Sequence, residues 1–525
     1  MMKRTSNRAL VPLLCLCALA ADAPSWTMRS LPMVLTTGET ARKPLPATMP
    51  GGLAVFDFDN DGLLDLFFTN GGELPTGRKS KPEHANRLFR NLGGMRFEDV
   101  TMRAGLAGSD YSFGVTAGDY DRDGHIDLLV TGLHGVTLFR NRGDGSFVDV
   151  TTKAGLAGMR HWAVAAAWFD KDNDGDLDLF VVNYVAWDPA KEKECLVDGK
   201  PDFCHPKNYS AIANTLFENK GDGTFADVSV AAGIAAYPGK GMSVAVADFD
   251  GDGYSDLFVP NDRVFNRLFL SRNGGRRFEE AAFAWGVAAP NDGNPPSSMG
   301  TDAQDFDHDG KPDLLYSALR DETFPIYRNG GHAFHEATAA TRMNVLTRLM
   351  AGWGIVFADL DNDGWPDIVA ARSDALSANG SHGETAKEPP SWFRNQGNGR
   401  FEHGTGWDKL PRAMWRGIAA ADLDNDGCLD VVLTALQASP QVLRNPCKGV
   451  GNWLQVDVRE PGARVRVNQQ WRVVSSAAGY GSSNAGPQHF GLGSAAEVDI
   501  EVFWPGGRSK LQRRFRANQR VRIVP

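Results

Sequence analysis

No apolar run in the 525 residues is long enough to cross a bilayer. The leader's apolar stretch Ala9 to Ala20 is twelve residues, against the roughly 20 that a spanning helix needs. The sequence also lacks a Gly-rich phosphate loop, a Cys-x-x-Cys-His haem site and a G-x-S-x-G elbow, so no motif points to nucleotide, haem or acyl-transfer chemistry. Cysteine is scarce, six in all, and positive charge is outnumbered, 55 Lys and Arg against 64 Asp and Glu. With a net charge of −9, no nucleic-acid partner is expected.

Two of the cysteines, Cys15 and Cys17, fall in residues 1-20, which read as a secretory signal. Lys3, Arg4 and Arg8 precede the apolar run, and Ala18-Leu19-Ala20 closes it. The expected location is secreted, extracellular or periplasmic. The remaining Cys195, Cys204, Cys428 and Cys447 are even in number, as an oxidising compartment favours. Cys195 and Cys204 close a short loop, a bridge worth about 2–3 kcal/mol. Cys428 and Cys447 pair by elimination and proximity, with free buried thiols as the alternative.

One acidic pattern is abundant. D-x-D-x-D-G-x-x-D occurs seven times. Its carboxylates, at positions one, three, five and nine, are Asp57, Asp59, Asp61 and Asp65, then Asp119, Asp121, Asp123 and Asp127, then Asp170, Asp172, Asp174 and Asp178. The last four copies hold Asp248, Asp250, Asp252 and Asp256, then Asp305, Asp307, Asp309 and Asp313, then Asp359, Asp361, Asp363 and Asp367, then Asp422, Asp424, Asp426 and Asp430. Carboxylates so bunched repel, and a hard cation with oxygen ligands resolves the repulsion. Ca²⁺, at about six to eight oxygens, fits better than Mg²⁺, which keeps its waters. The carbonyl of position seven (Leu63, His125, Asp176, Tyr254, Lys311, Trp365 or Cys428) is expected as a further ligand, because residues so different share only their main chain. Gly at position six permits the sharp turn. No Glu stands at position twelve, unlike an EF-hand. Loss of the leader takes the chain to −12, and seven Ca²⁺ would bring it to +2, so stability is expected to depend on calcium.

Loop starts lie 62, 51, 78, 57, 54 and 63 residues apart, a spacing that suits four-stranded propeller blades. A small-residue approach such as Phe113 to Gly118 enters each loop and an apolar run such as Ile126 to Val130 leaves it, a β-hairpin with the loop as its turn. Then follows L-F-x-N with F-x-[DE], as Leu88 to Asn91 with Phe97 and Asp99, Leu138 to Asn141 with Phe147 and Asp149, and Leu216 to Asn219 with Phe225 and Asp227. Looser copies begin at Leu268, Ile326, Trp392 and Val442. Their aromatics read as packing between adjacent sheets. The fold class is therefore all-β: a seven-bladed β-propeller over 21-448, closed so that no sheet edge is left open, and a smaller domain over 449-525. The longest gap holds an insertion, Trp187 to Tyr209, read as a specificity loop or as cross-linked decoration. A second, Ser373 to Pro390, is polar and rich in Ser, Ala and Gly. His332 and His335 read as a surface pair.

From Gly449 the charge reverses, to +6 over 449-525 against −18 over 21-448. Short alternating runs, Trp453 to Val458, Ala463 to Val467, Trp471 to Ser475, Val498 to Trp504 and Gln519 to Val524, predict a small β-sandwich or barrel. Arg508, Lys510, Arg513, Arg514 and Arg516 read as a solvated face or a dock on the acidic repeats, with an anionic polymer as the alternative partner.

The acidic loops with their interleaved F-x-N and F-x-D elements resemble the FG-GAP/VCBS repeats of integrin α-chain propellers. The tail, with Pro461 to Val465, Gly479-Tyr480, His489 to Gly493 and Val502 to Pro505, is similar to the ASPIC/UnbV domain. Together they resemble the cartilage acidic protein 1 family and its secreted bacterial members. That resemblance implies extracellular calcium binding, adhesion or matrix-like roles with a protein or glycan partner, and no catalysis. The competing class is a glycan-active lyase or hydrolase with Trp187 to Tyr209 as a cleft wall, but no facing pair of carboxylates outside the loops is legible.

Overall fold

Each acidic loop is the turn between the first two strands of an antiparallel sheet. The computed structural model describes residues 26–197, 199–374 and 386–524; the leader and most of the Ser373 to Pro390 insertion lie outside them. Sheet one runs Leu53–Phe56, Asp65–Phe68, Arg87–Asn91, Phe97–Asp99. Sheets two to six repeat that order, with first strands Ser112–Gly118, Ala163–Phe169, Ala245–Ala247, Thr301–Gln304 and Gly352–Ala358. In every sheet the second strand begins on the position-nine Asp.

The seventh sheet differs. Its own chain supplies Trp415–Ala421, Asp430–Ala435 and Gln441–Arg444, and the fourth strand is Thr27–Ser30, antiparallel to Gln441–Arg444. No F-x-[DE] follows Asn445 because the N-terminal segment takes that place. First strands of sheets one and two, two and three, four and five, five and six, six and seven, and seven and one lie side by side, so sheet seven is a neighbour of sheet one. The aromatics of the third strands, Phe89, Phe139, Phe217, Phe269, Tyr327 and Phe393, are 5% exposed or less; they pack between sheets as expected.

Residues 452–524 form two further sheets around one apolar cluster. Asn452–Asp457 lies between Gln488–Gly493 and Gln519–Arg522. Arg464–Val467 lies between Gln470–Val473 and Glu497–Phe503, with Ser509–Arg516 at the edge. Gln488–Gly493 and Ser509–Arg516 are strands beyond the five predicted runs.

A Ser, Ala and Gly segment of this part, 475–484, reaches the first strand of every sheet, or the residues leading into it. Ser483 and Asn484 pair in parallel with Ala54 and Val55. The Val115 N–H donates to the Gly481 carbonyl, and Thr301 exchanges bonds with Gly479. Trp168 N donates to Ser476 Oγ, Ser243 Oγ to the Gly479 carbonyl and Asn484 Nδ2 to the Ala420 carbonyl. The Trp353 and Tyr480 rings meet edge to face at 5.1 Å. Only small residues fit: a Cβ on Gly52 would stand 2.5 Å from the Gly481 carbonyl oxygen.

Cys195–Cys204 and Cys428–Cys447 are both disulfides. The first closes a hairpin within the insertion, which Glu192 ties down by accepting from Tyr209 OH and Trp187 Nε1.

Candidate metal centres

The seven loops share one backbone path. Position four is left-handed in each, from φ 55° at Asn362 to 74° at Gly251, and so is the Gly at position six, from 87° to 97°. The chain thus turns back over position one, whose carboxylate caps the loop: Asp57 accepts from the N–H groups of Asp61 and Gly62, both at 3.1 Å. The same pair recurs at Asp119, Asp170, Asp305, Asp359 and Asp422; at Asp248 only Gly253 donates. Position five accepts from the N–H of position seven, as Asp61 does from Leu63 at 2.9 Å.

Position nine forms the floor. Asp65 accepts from Phe58 N and Asn91 N, and the other six Asp are held by equivalent pairs. Burial pushes these carboxyls far up, Asp65 and Asp178 to about 8 and Asp127 to about 9. Position one follows for the same reason, to about 6 at Asp170, Asp305 and Asp422 and about 7 at Asp359. These are sites built from anions and short of positive charge.

Position three carries the test of fit. Its Oδ1 is buried without a hydrogen-bond partner in six loops, at Asp59, Asp121, Asp172, Asp307, Asp361 and Asp424; in the fourth loop the orphan is Asp248 Oδ1. Such an oxygen costs about 1–3 kcal/mol or more if left so. None of the seven position-seven carbonyls accepts a hydrogen bond among the described residues. Oxygens of positions one, three and nine come within 4.8 Å of one another in the second, third and fourth loops; in the first, Asp57, Asp59 and Asp61 do. A free position-seven carbonyl in every copy, with a free carboxylate oxygen at position three in six copies and at position one in the fourth, fits a divalent cation. Asp426, Cys428 and Cys447 also meet, but both thiols are in the disulfide.

Two sets of functional residues were missed in the sequence. One is the Arg in the L-F-R-N element. Arg90 pairs with Asp59 at 2.7 Å and Asp61 at 3.0 Å, and Arg140, Arg394 and Arg444 bridge the same two positions. Arg328 reaches Asp307, and Arg272 reaches Asp250 from two residues further on. The third unit has Glu218 instead, and Lys171 supplies the cation. The other set is the Asn of the same element. Asn141 Nδ2 donates to the Ile126 carbonyl of its own loop and the Phe58 carbonyl of the preceding one. Asn219, Asn329, Asn395 and Asn445 repeat the link, and Asn91 makes it to Leu423, joining loop one to loop seven. Among the described residues only the fourth unit lacks it; there the residue is Ser271, whose Oγ has no partner among them. The recurrence of Arg and Asn at fixed places was the available signal.

The 452–524 sheets rest on the loop side, and of the two readings of the basic cluster, solvated face or dock, the structure shows the solvated face. Arg508, Lys510, Arg513, Arg514 and Arg516 are exposed, along or beside an edge strand, and form no ion pair within 4 Å among the described residues. Contact comes from Arg459 on Asn60, Arg464 on the Gly310 carbonyl, Arg520 on the Gly62 carbonyl and Gln455 on Asp422. The cluster's edge position, where charge deters strand addition, explains why it stays in solvent.

The family model for the FG-GAP-like repeat matches residues 57–130, 123–181, 197–259, 305–370 and 372–433. The chain belongs to the FG-GAP-like repeat family. A second model, ASPIC and UnbV, matches 457–525, so the tail that rests on the FG-GAP loops is an ASPIC/UnbV domain. Cartilage acidic protein 1 of Homo sapiens is 27% identical over 317 residues, 58% of this chain and 39% of the relative. Its Xenopus tropicalis counterpart is 24% identical over 470 residues, 87% and 61%. The match thus spans about two to three fifths of these homologues' length. A solved structure of BBS1N in complex with ARL6DN covers 82% of this chain and 99% of its own at 8% identity and a TM-score of 0.42.

Proposed function

We propose that the seven FG-GAP sheets form a seven-bladed β-propeller braced by up to seven Ca²⁺, that the ASPIC/UnbV part is a small β-sandwich, and that the whole is a secreted, non-enzymatic module for a protein or glycan partner. The observation that carries the metal reading is the position-three carboxylate oxygen left buried and unpartnered in six of seven loops. Positions one, three, five and nine with the position-seven carbonyl would hold the ion. It would balance the carboxylates that one Arg or Lys per loop leaves unpaired, and the Asn links would pass that rigidity from blade to blade.

Secretion is supported by the two disulfides; no helix among the described residues is long and apolar enough to cross a membrane. With the loop side partly taken by the ASPIC/UnbV part, the tethered insertion Trp187 to Tyr209 is the surface offered to a partner, and ordering it beforehand favours binding. The test is a panel of extracellular proteins and glycans probed with calcium, with chelator, and with the insertion replaced by a Gly-Ser turn. Binding that needs both calcium and the insertion supports the reading. Binding indifferent to both, or release of reducing ends or unsaturated sugars, defeats it.

A further inference from the structure

The acidic loops are joined side to side by a second set of bonds, and this circle is completed from outside the repeats. The position-four side chain of one loop donates to the position-six carbonyl of the next: Asn60 to Gly124, Arg122 to Gly175, Asn173 to Gly253, His308 to Gly364 and Asn362 to Gly427, at 2.9–3.4 Å. Two links are missing. The fourth loop has Gly251 at position four and no side chain to offer, and Asn425 makes no such bond to Gly62 among the described residues. At both gaps an arginine of the ASPIC/UnbV domain steps in. Arg464 donates to the Gly310 carbonyl at 2.8 Å and Arg520 to the Gly62 carbonyl at 3.2 Å.

The same domain covers the position-one side of some loops and leaves it bare in others. Over the sixth loop, the Gly451 and Gly493 N–H groups donate to the carbonyls of Asp361 and Asn362, and His489 Nε2 lies 2.7 Å from Asn362 Oδ1. Over the seventh, Gln455 Nε2 donates to Asp422 Oδ2 at 2.7 Å. The position-one carboxylates of loops five, six and seven are 2%, 2% and 3% exposed. Asp119 in the second loop is only half-buried, and no residue of 119–127 bonds to the domain among the described residues.

We propose that the ASPIC/UnbV domain is a lock on the metal loops: by closing the circle through Arg464 and Arg520 and covering loops five to seven, it holds ions there until it lifts, while loop two exchanges freely. This rests on the calcium reading above and adds to it that the seven sites fall into two kinetic classes, with the domain setting the slow one. The cover lies over the position-one carboxylates of loops five to seven, so the escape of an ion held there would wait on a domain opening that bares them.

The experiment is stopped-flow release of calcium from the full loaded chain into a fluorescent chelator. Two phases are expected, with the covered loops releasing about ten-fold more slowly or worse. Arg464→Ala with Arg520→Ala, neither an ion ligand, should leave the number of ions unchanged and speed the slow phase about ten-fold; Gln455→Ala, which opens loop seven alone, should move about one ion from slow to fast. Release of all ions in one phase, or a slow phase unmoved by both variants, overturns the lock while the calcium reading stands. A chain that binds no ion overturns the calcium reading itself, and the lock with it.

Discussion

Asn141→Ala isolates the link between neighbouring sheets. The side chain is fully buried. Its Nδ2 donates to the Phe58 carbonyl at 2.9 Å and the Ile126 carbonyl at 3.1 Å, and its Oδ1 accepts from Gly143 N at 3.0 Å. Alanine keeps the backbone bond to Asp127 but leaves two carbonyls without a partner where water has no access. At about 1–2 kcal/mol for each stranded group, with partial rehydration of the Gly143 N–H, the loss should be about 2–4 kcal/mol. The assay is urea unfolding in saturating calcium, read by tryptophan fluorescence. Ser271→Ala is the internal control: it removes the corresponding residue of the fourth unit, whose hydroxyl has no partner, and should cost less than about 0.5 kcal/mol. If Asn141→Ala loses less than about 1 kcal/mol, or no more than Ser271→Ala, the Asn does not join the sheets.

Deleting residues 26–30 strips the fourth strand from sheet seven and the Trp26 ring from Trp392 and Trp407, 6.2 and 5.3 Å away; about 2–4 kcal/mol should be lost, and concentration-dependent aggregation at the bared edge should show in light scattering. In chelator, the melting temperature should fall as pH rises from 5 to 8. Burial raises Asp65, Asp127 and Asp178 from 3.8 to about 8 or 9, so the folded chain keeps protons across this window that the unfolded chain has released. Excess calcium, which needs the carboxylates ionised, should flatten or reverse that slope in a thermal scan. Cys195→Ser with Cys204→Ser should lower stability by up to about 2–3 kcal/mol and weaken partner binding, both measurable on the purified variant.

The loops and the aromatic strands were legible because they repeat, and repetition is readable without knowing what each residue touches. Position one, the glycine of position six and the Asp that opens the second strand all stand where the nine-residue pattern placed them. What was not legible depends on partners far along the chain. Thr27–Ser30 is four mostly exposed residues with no periodicity to find, and only the missing F-x-[DE] after Asn445 hinted that sheet seven needed a strand. Residues 476–484 fall outside the predicted runs because they are mostly Ser, Ala and Gly; they are small because backbones meet there at the Gly52 and Gly481 contact. The docking arginines are spread over 459 to 520, whereas the compact basic cluster, 508 to 516, runs along an exposed edge.

Divalent ions in the acidic turns are the claim on which the rest stands. The most direct measurement is elemental analysis of the purified chain, dialysed in calcium buffer and then freed of unbound ions. Close to seven Ca²⁺ per chain, falling on treatment with chelator together with a drop in melting temperature, is the expected result. Absence of stoichiometric calcium, with melting unchanged by chelator, would contradict it.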